Sequence, residues 1–261
     1  MIQSIWAYRN FILSSIKNEY QTRFARSKLG ALWMVLHPLA QVAIYALILS
    51  SVLAAKLPGI DNKYAYAIYL MAGMLGWSLF AEVFNRCLTV FIDNGNLIKK
   101  MAFPRIALPL IVVGSGVLNN LLMLLAVVVI FGLLGHLPSL AFLWLPVLML
   151  VTLALAIGMG LTLGIMNVFM RDIGQVAPVL IQFWFWLTPI VYMATLIPEA
   201  YRDLLMLNPM TGIVMSYQSV LVYNHAPDIS VLLYPALVAF AFLALATHFY
   251  RQANEEMADV L

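Results

Sequence analysis

Few side chains in this sequence could do chemistry, and most of them sit inside apolar runs. Glu82 and Arg86 are four residues apart in such a run. On a helix that spacing places them on one face, where they can pair. An adjacent guanidinium favours the ionised carboxylate and opposes easy proton exchange. Ion-coupled transport needs a titratable group at membrane depth, and Glu82 is the one serious candidate. The pair reads either as a polar element at the inner mouth of a channel or as an ion pair at a membrane boundary. Asp172 beside Arg171 reads as a boundary charge. The aromatic residues Trp33, Tyr45, Trp77, Phe80, Phe84, Phe183, Trp184, Phe185, Trp186 and Tyr192 offer flat apolar faces. Such faces stack on sugar rings, so a carbohydrate conduit would use them. An interfacial belt and ordinary packing would use them too. The run 183–186 points in every direction around a helix, so periodicity does not choose between these readings.

Other chemistries lack their residues. There is no G-x-x-x-x-G-K-[ST] loop to cradle ATP, and no G-x-S-x-G or H-E-x-x-H motif. The four histidines His37, His136, His225 and His248 are scattered without metal-ligand spacing. A single cysteine, Cys87, cannot form an internal disulfide. The chain is 64% hydrophobic and 10% charged over 261 residues. Its mean hydropathy is +0.96. A soluble domain is nearer half apolar and a quarter charged, so these values describe an integral membrane protein. Residues 1–261 form one membrane domain with no room for a sizeable soluble catalytic unit, and no nucleic-acid partner is implied by a net charge of +3. No cleavable signal peptide is expected, because Met1 to Tyr8 is followed by polar residues.

The elements that must position these residues follow from the apolar runs. A polar bridge from Asn94 to Pro109 separates two of them. It is too polar for lipid, and with Lys99, Lys100 and Arg105 but no acid it belongs in the cytoplasm. A short helix is expected from Asn96 to Phe103, ended by Pro104, which biases Phe103 away from helical angles. Held between two spans, it could receive a push from a soluble partner, or it could simply fix topology.

Ahead of this, Ile5 to Phe24 is amphipathic, with Ile12, Leu13 and Ile16 on one face and Lys17, Asn18 and Gln21 opposite. It reads as a helix lying in the membrane surface. Six spans of the ~20 residues that a bilayer needs are expected near Leu29–Ala55, Tyr64–Phe91, Leu108–Leu134, Leu140–Val168, Gln175–Ala194 and Val231–Tyr250. Gly160 and Gly164 in the fourth allow a close helix crossing. Leu204–Tyr223 is broken by Asn208-Pro209 and reads as short helices dipping into the outer face. The organisation is then an interface helix (1–28), spans one to five (29–194), outer-face re-entrant helices (195–229), a sixth span (230–250) and a cytoplasmic tail (251–261). With both termini inside, eleven of the fourteen basic residues fall on the inner side, leaving Lys56, Lys63 and Arg202 outside.

Four stretches, in order, resemble the ABC type-2 permeases that export polysaccharides. They are Arg23 to Trp33 with His37-Pro38; Leu97 to Lys100 with Phe103-Pro104-Arg105 and Pro109; Asn167 with Arg171-Asp172-Ile173 and then Trp186, Thr188-Pro189-Ile190 and Tyr192; and Leu207 to Met210 with Tyr217. Phe24 stands where the family pattern suggests tyrosine. The resemblance implies an all-α polytopic membrane protein of the bacterial cytoplasmic (inner) membrane, with six transmembrane helices, an N-terminal interface helix and a cytoplasmic coupling helix. It implies a channel made by two copies, working with a separate nucleotide-binding ATPase subunit that holds ATP and Mg, so no cofactor is expected in this chain. The expected substrate is a polyprenyl-diphosphate-linked polysaccharide such as O-antigen. By the same resemblance Asn96, Leu97, Ile98, Lys99, Lys100, Met101 and Phe103 couple to the ATPase. Trp33, Tyr45, Trp77, Phe80, Glu82, Arg86, Phe183, Trp184, Trp186 and Tyr192 are candidates for the channel. The competing class is an ion-coupled secondary carrier for a lipid or glycan.

Overall fold

The computed structural model describes residues 8–24, 30, 32–33, 36, 39–40, 43–44, 65–100, 105–136, 139–253 and 256–257. Most of the expected first span lies outside these residues, as do Tyr45, Met101, Phe103 and Pro104. The described chain is helical. Its elements are α1 (Arg9–Phe24), α2 (Ala65–Asp93), α3 (Gly95–Lys100), α4 (Ala107–Leu133), a 3-10 turn (Leu140–Trp144), α5 (Leu145–Phe169), α6 (Ile173–Trp186), a second 3-10 turn (Ala194–Leu196), α7 (Glu199–Met206), α8 (Pro209–Leu221) and α9 (Ile229–Ala253). Among the described residues, four helical stretches are long and apolar enough to cross a membrane: α2, α4, Leu140–Phe169 and α9.

The body is built around α2, which α5 crosses on one side and α4 on another, while α9 packs on α5. Glycines set these approaches. A Cβ on Gly160 would stand 2.8 Å from Cys87 Cβ and 2.9 Å from the Phe84 carbonyl, and one on Gly164 would meet the Cys87 carbonyl. Gly158 lies nearly opposite on the helix, and there a Cβ would meet the Leu243 nitrogen of α9 at 2.9 Å. Thus α5 brings bare backbone to two neighbours at once, as small residues do where helices associate without a hydrophobic drive between them.

The fifth expected span differs from its sequence reading. A helix over 175–194 was expected, but α6 stops at Trp186. Pro189 cannot donate to a helical ladder, so 187–193 continues without helix. Backbone without helix needs other partners for its polar groups, and side chains of α2 and α8 supply them here. Tyr66 donates to the Val191 carbonyl. Tyr69 donates to the Pro189 and Tyr192 carbonyls at 3.3 and 3.2 Å. Gln218 donates to the Pro189 carbonyl at 3.0 Å.

Beyond this segment the chain folds back. Asn208, between α7 and α8, reaches the end of α6, and the far end of α8 meets the α4–α5 turn, where the His136 ring lies 2.7 Å from the Leu221 carbonyl. α8 is buried almost throughout, with the Tyr217 ring seated on Gly76. α7 stays largely exposed.

Candidate functional site: the α2–α6 face and the polar bridge

The break at Asn208-Pro209 becomes a four-bond junction. Asn208 Oδ1 accepts from Trp184 Nε1 at 2.7 Å and from the Met210 amide at 2.9 Å. Its Nδ2 donates to the Thr188 hydroxyl at 3.0 Å and to the Leu187 carbonyl at 3.3 Å. The bond to Met210 caps α8, and Pro209 at the first helical position has no amide to leave unpaired. Asn167 plays a similar part at the other end of α6. Its Nδ2 donates to the Leu88 carbonyl at 3.0 Å and its Oδ1 accepts from the Gly174 amide at 2.9 Å. Both ends of α6 are therefore pinned to the body by an asparagine.

Between these pins α6 shows one narrow buried stripe, Ala177, Ile181 and Phe185, at the four-residue spacing of one helical face. Phe185 meets Trp77 edge-on at 5.5 Å, and Trp184 meets Phe80 edge-on at 5.4 Å. Phe80 stacks on Phe84 at 5.8 Å. Trp77 and Phe80 are thus closed off within the chain, at 6% and 0% exposure, while Phe183 and Trp186 are 65% and 54% exposed. Tyr192 is half-buried at the edge of a cavity of about 300 Å³ that it shares with Trp184, Tyr201 and Asn208. Trp33 is exposed. Gln182, which the sequence reading passed over, is exposed beside Phe183. The signal was available: it follows Gln175 at a seven-residue interval, two turns along the same face.

Glu82 and Arg86 do face one another, at 3.9 Å, but the shorter ion pair of Arg86 is with Glu19 of α1, at 2.8 Å. Ser115 donates to Glu19 at 2.8 Å, and Asn119 donates to Glu82. Periodicity alone gives this stretch as a helix lying in the membrane surface, a pattern in which Glu19 has no distinct place. In the structure Ile16 of α1 is buried, and a Cβ on Gly114 of α4 would strike its side chain. Leu13, assigned to the apolar face, is 64% exposed. The inward face is Ile12, Ile16 and Glu19, and the spacing from Ile16 to Glu19 is the clue that would have found the acid.

On the polar bridge, α3 covers Gly95–Lys100. It nearly continues α2, since only Asn94 intervenes, and the Asn94 carbonyl accepts from the Leu97 and Ile98 amides at 3.0 Å each. Ile98 is buried, Leu97 half-buried, and Asn96 and Lys99 are exposed. Among the described residues no His, Cys, Asp and Glu cluster could hold a metal.

The family model for the ABC-2 type transporter matches residues 11–222. The chain belongs to the ABC-2 type transporter family. It is similar along its whole length to the O-antigen export system permease protein RfbA of Myxococcus xanthus, 27% identical over 99% of this chain and 98% of that protein. It is 30% identical to the RfbA permease of Klebsiella pneumoniae over 77% of this chain and 75% of that protein. The polysialic acid transport protein KpsM of Escherichia coli is 23% identical over 92% of each chain. The family assignment accounts for both the multi-pass hydrophobic body and the transporter class. It places the Asn167 and Asn208 junctions inside the matched region.

Proposed function

We propose that this chain is the membrane subunit of an ATP-driven polysaccharide exporter. Two copies form the conduit, and separate ATPase subunits drive it from the cytoplasm. The substrate is a polysaccharide on a polyprenyl diphosphate carrier, with O-antigen the type that the relatives favour, and the bilayer is the bacterial cytoplasmic membrane with both termini inside. The observation that carries this reading is the end-to-end similarity to an O-antigen export permease.

The geometry supports a division of labour. α6 is 14 residues long, about 21 Å at 1.5 Å per residue, and cannot cross a bilayer core of about 30 Å alone. Its exposed face mixes an amide, Gln182, with the rings of Phe183 and Trp186. Lipid offers no partner for an amide. A sugar offers hydroxyls to the amide and C–H faces to the rings. That face would line the conduit, with Tyr192 above it. The driving force enters through α3, whose buried Ile98 anchors it to the body while Asn96 and Lys99 stay available to an ATPase.

The test is affinity purification in mild detergent, followed by reversal of charge at Lys99 and Lys100. A stoichiometric partner bearing a nucleotide-binding loop is expected, and the reversed variant should insert normally yet export no glycan. Export at the unmodified level would overturn the coupling assignment, and a clean homo-oligomer without an ATPase would point to a carrier.

A further inference from the structure

Arg86 has two carboxylates in reach and closes on one of them. Its Nη2 lies 2.8 Å from both oxygens of Glu19, on α1. Its Nη1 makes no hydrogen bond and stands 3.9 Å from Glu82, one turn back on its own helix. These side chains are partly sheltered, Arg86 and Glu82 at 27% exposure and Glu19 at 30%. The seat of α1 is shared between two helices. Arg86 comes from α2, whereas Ser115, which also bonds Glu19, and Gly114, which receives Ile16, come from α4. α2 and α4 are also the helices that flank α3.

We infer that Arg86 is a positioning residue for transport that exchanges partners, holding Glu19 while α1 is seated on α4 and passing to Glu82 when α1 leaves. The purpose rests on the exporter reading, but the geometry does not. A sheltered guanidinium that lost its sole carboxylate would be strongly penalised, so a helix held by such a pair alone would be fixed in place. A second carboxylate, about 1 Å beyond contact, keeps the charge paired through the change. Any sliding of α2 against α4 alters the distance between Arg86 and Ser115. It therefore pulls the two halves of the seat apart, and α1 becomes an element with two positions.

The two acids then have opposite effects on the seat of α1, whereas acids that only brace one arrangement would both raise labelling when removed. Ile16→Cys in the full chain reports the seat, since Ile16 is buried behind Gly114 and the native Cys87 is buried too. Labelling by N-ethylmaleimide in membranes is compared within that background. Glu19→Gln should raise the labelling rate several-fold, because it removes the seated partner. Glu82→Gln should lower it several-fold, because it removes the alternative, and Glu82→Asp, with its shorter reach, should lower it less. Faster labelling in the Glu82 variants would show that both acids merely stabilise one arrangement, and unchanged rates would show that neither sets the position. Either result overturns the inference. The assay needs no ATPase and no glycan, so it fails or succeeds independently of the co-purification above.

Discussion

All four hydrogen-bonding capacities of Asn208 are used, and its loss should be felt in the fold. Replacement by Ala removes an N-cap and leaves the Trp184 indole N–H without its partner, a cost of about 2 kcal/mol. Asn208→Ala should therefore melt markedly lower in detergent, and Asn208→Asp, which keeps both accepted bonds, should fall between it and the parent. Trp184 and Trp186 separate on the same ground. Trp184 holds Phe80 and Asn208, so Trp184→Ala should lower protein level and export together. Trp186 is exposed on the face assigned to the conduit, so Trp186→Ala should lower export several-fold at unchanged protein level. Quantitative blotting beside a glycan export assay distinguishes the two patterns, and parallel behaviour of both variants would remove Trp186 from the conduit. The aromatic run was legible in the sequence, but this difference was not, because consecutive residues on a helix point apart and only the neighbours decide which ring is covered. Asp228 illustrates a local effect of another kind. The hydroxyl and amide of Ser230 bond its carboxylate and hold its pKa below the ordinary value. This contribution is present above the unfolded-state pKa and is lost as pH falls through the depressed folded value.

At the scale of elements, the helix crossings depend on where glycine lies. Gly164→Val would drive a side chain into the Cys87 carbonyl, which is backbone and cannot swing aside. The α2–α5 crossing must then open, and folded protein in the membrane should fall severely. A Cβ on Gly132 of α4 meets nothing within 4 Å, so Gly132→Ala should leave expression and the monodisperse elution peak unchanged. Equal tolerance at both positions would refute close packing as the reason for the glycines. The spacing of Gly160 and Gly164 was enough to suggest a close crossing, because repetition at i and i+4 is a property of the helix itself. The end of α6 was less legible. Pro189 warned of a break, but whether an apolar stretch can continue without helix depends on distant donors, here Tyr66, Tyr69 and Gln218. Likewise α1 was legible as a helix, while its seat was not, since a short apolar periodicity fits a lipid surface and a protein groove equally well.

For the whole molecule, assembly turns on which exposed apolar surface meets lipid. α9 exposes Leu233, Leu237 and Phe240 along a helix of 25 residues, long enough to match a bilayer and free of polar side chains at those positions. α6 exposes Val179 and Phe183 beside Gln182, with Leu187 exposed just past its end, on a helix too short to span. The first surface suits acyl chains. The second suits a conduit or a second copy, because an amide in contact with hydrocarbon has no partner. Leu187→Cys should therefore form a disulfide-linked dimer on mild oxidation in native membranes, and Leu237→Cys should not. Addition of the ATPase partner with nucleotide should change the yield at residue 187 if the conduit opens between copies. Efficient cross-linking at 237 with none at 187 would place the partner copy on α9 and turn α6 toward lipid, which would leave Phe183 and Trp186 without a role in contacting glycan.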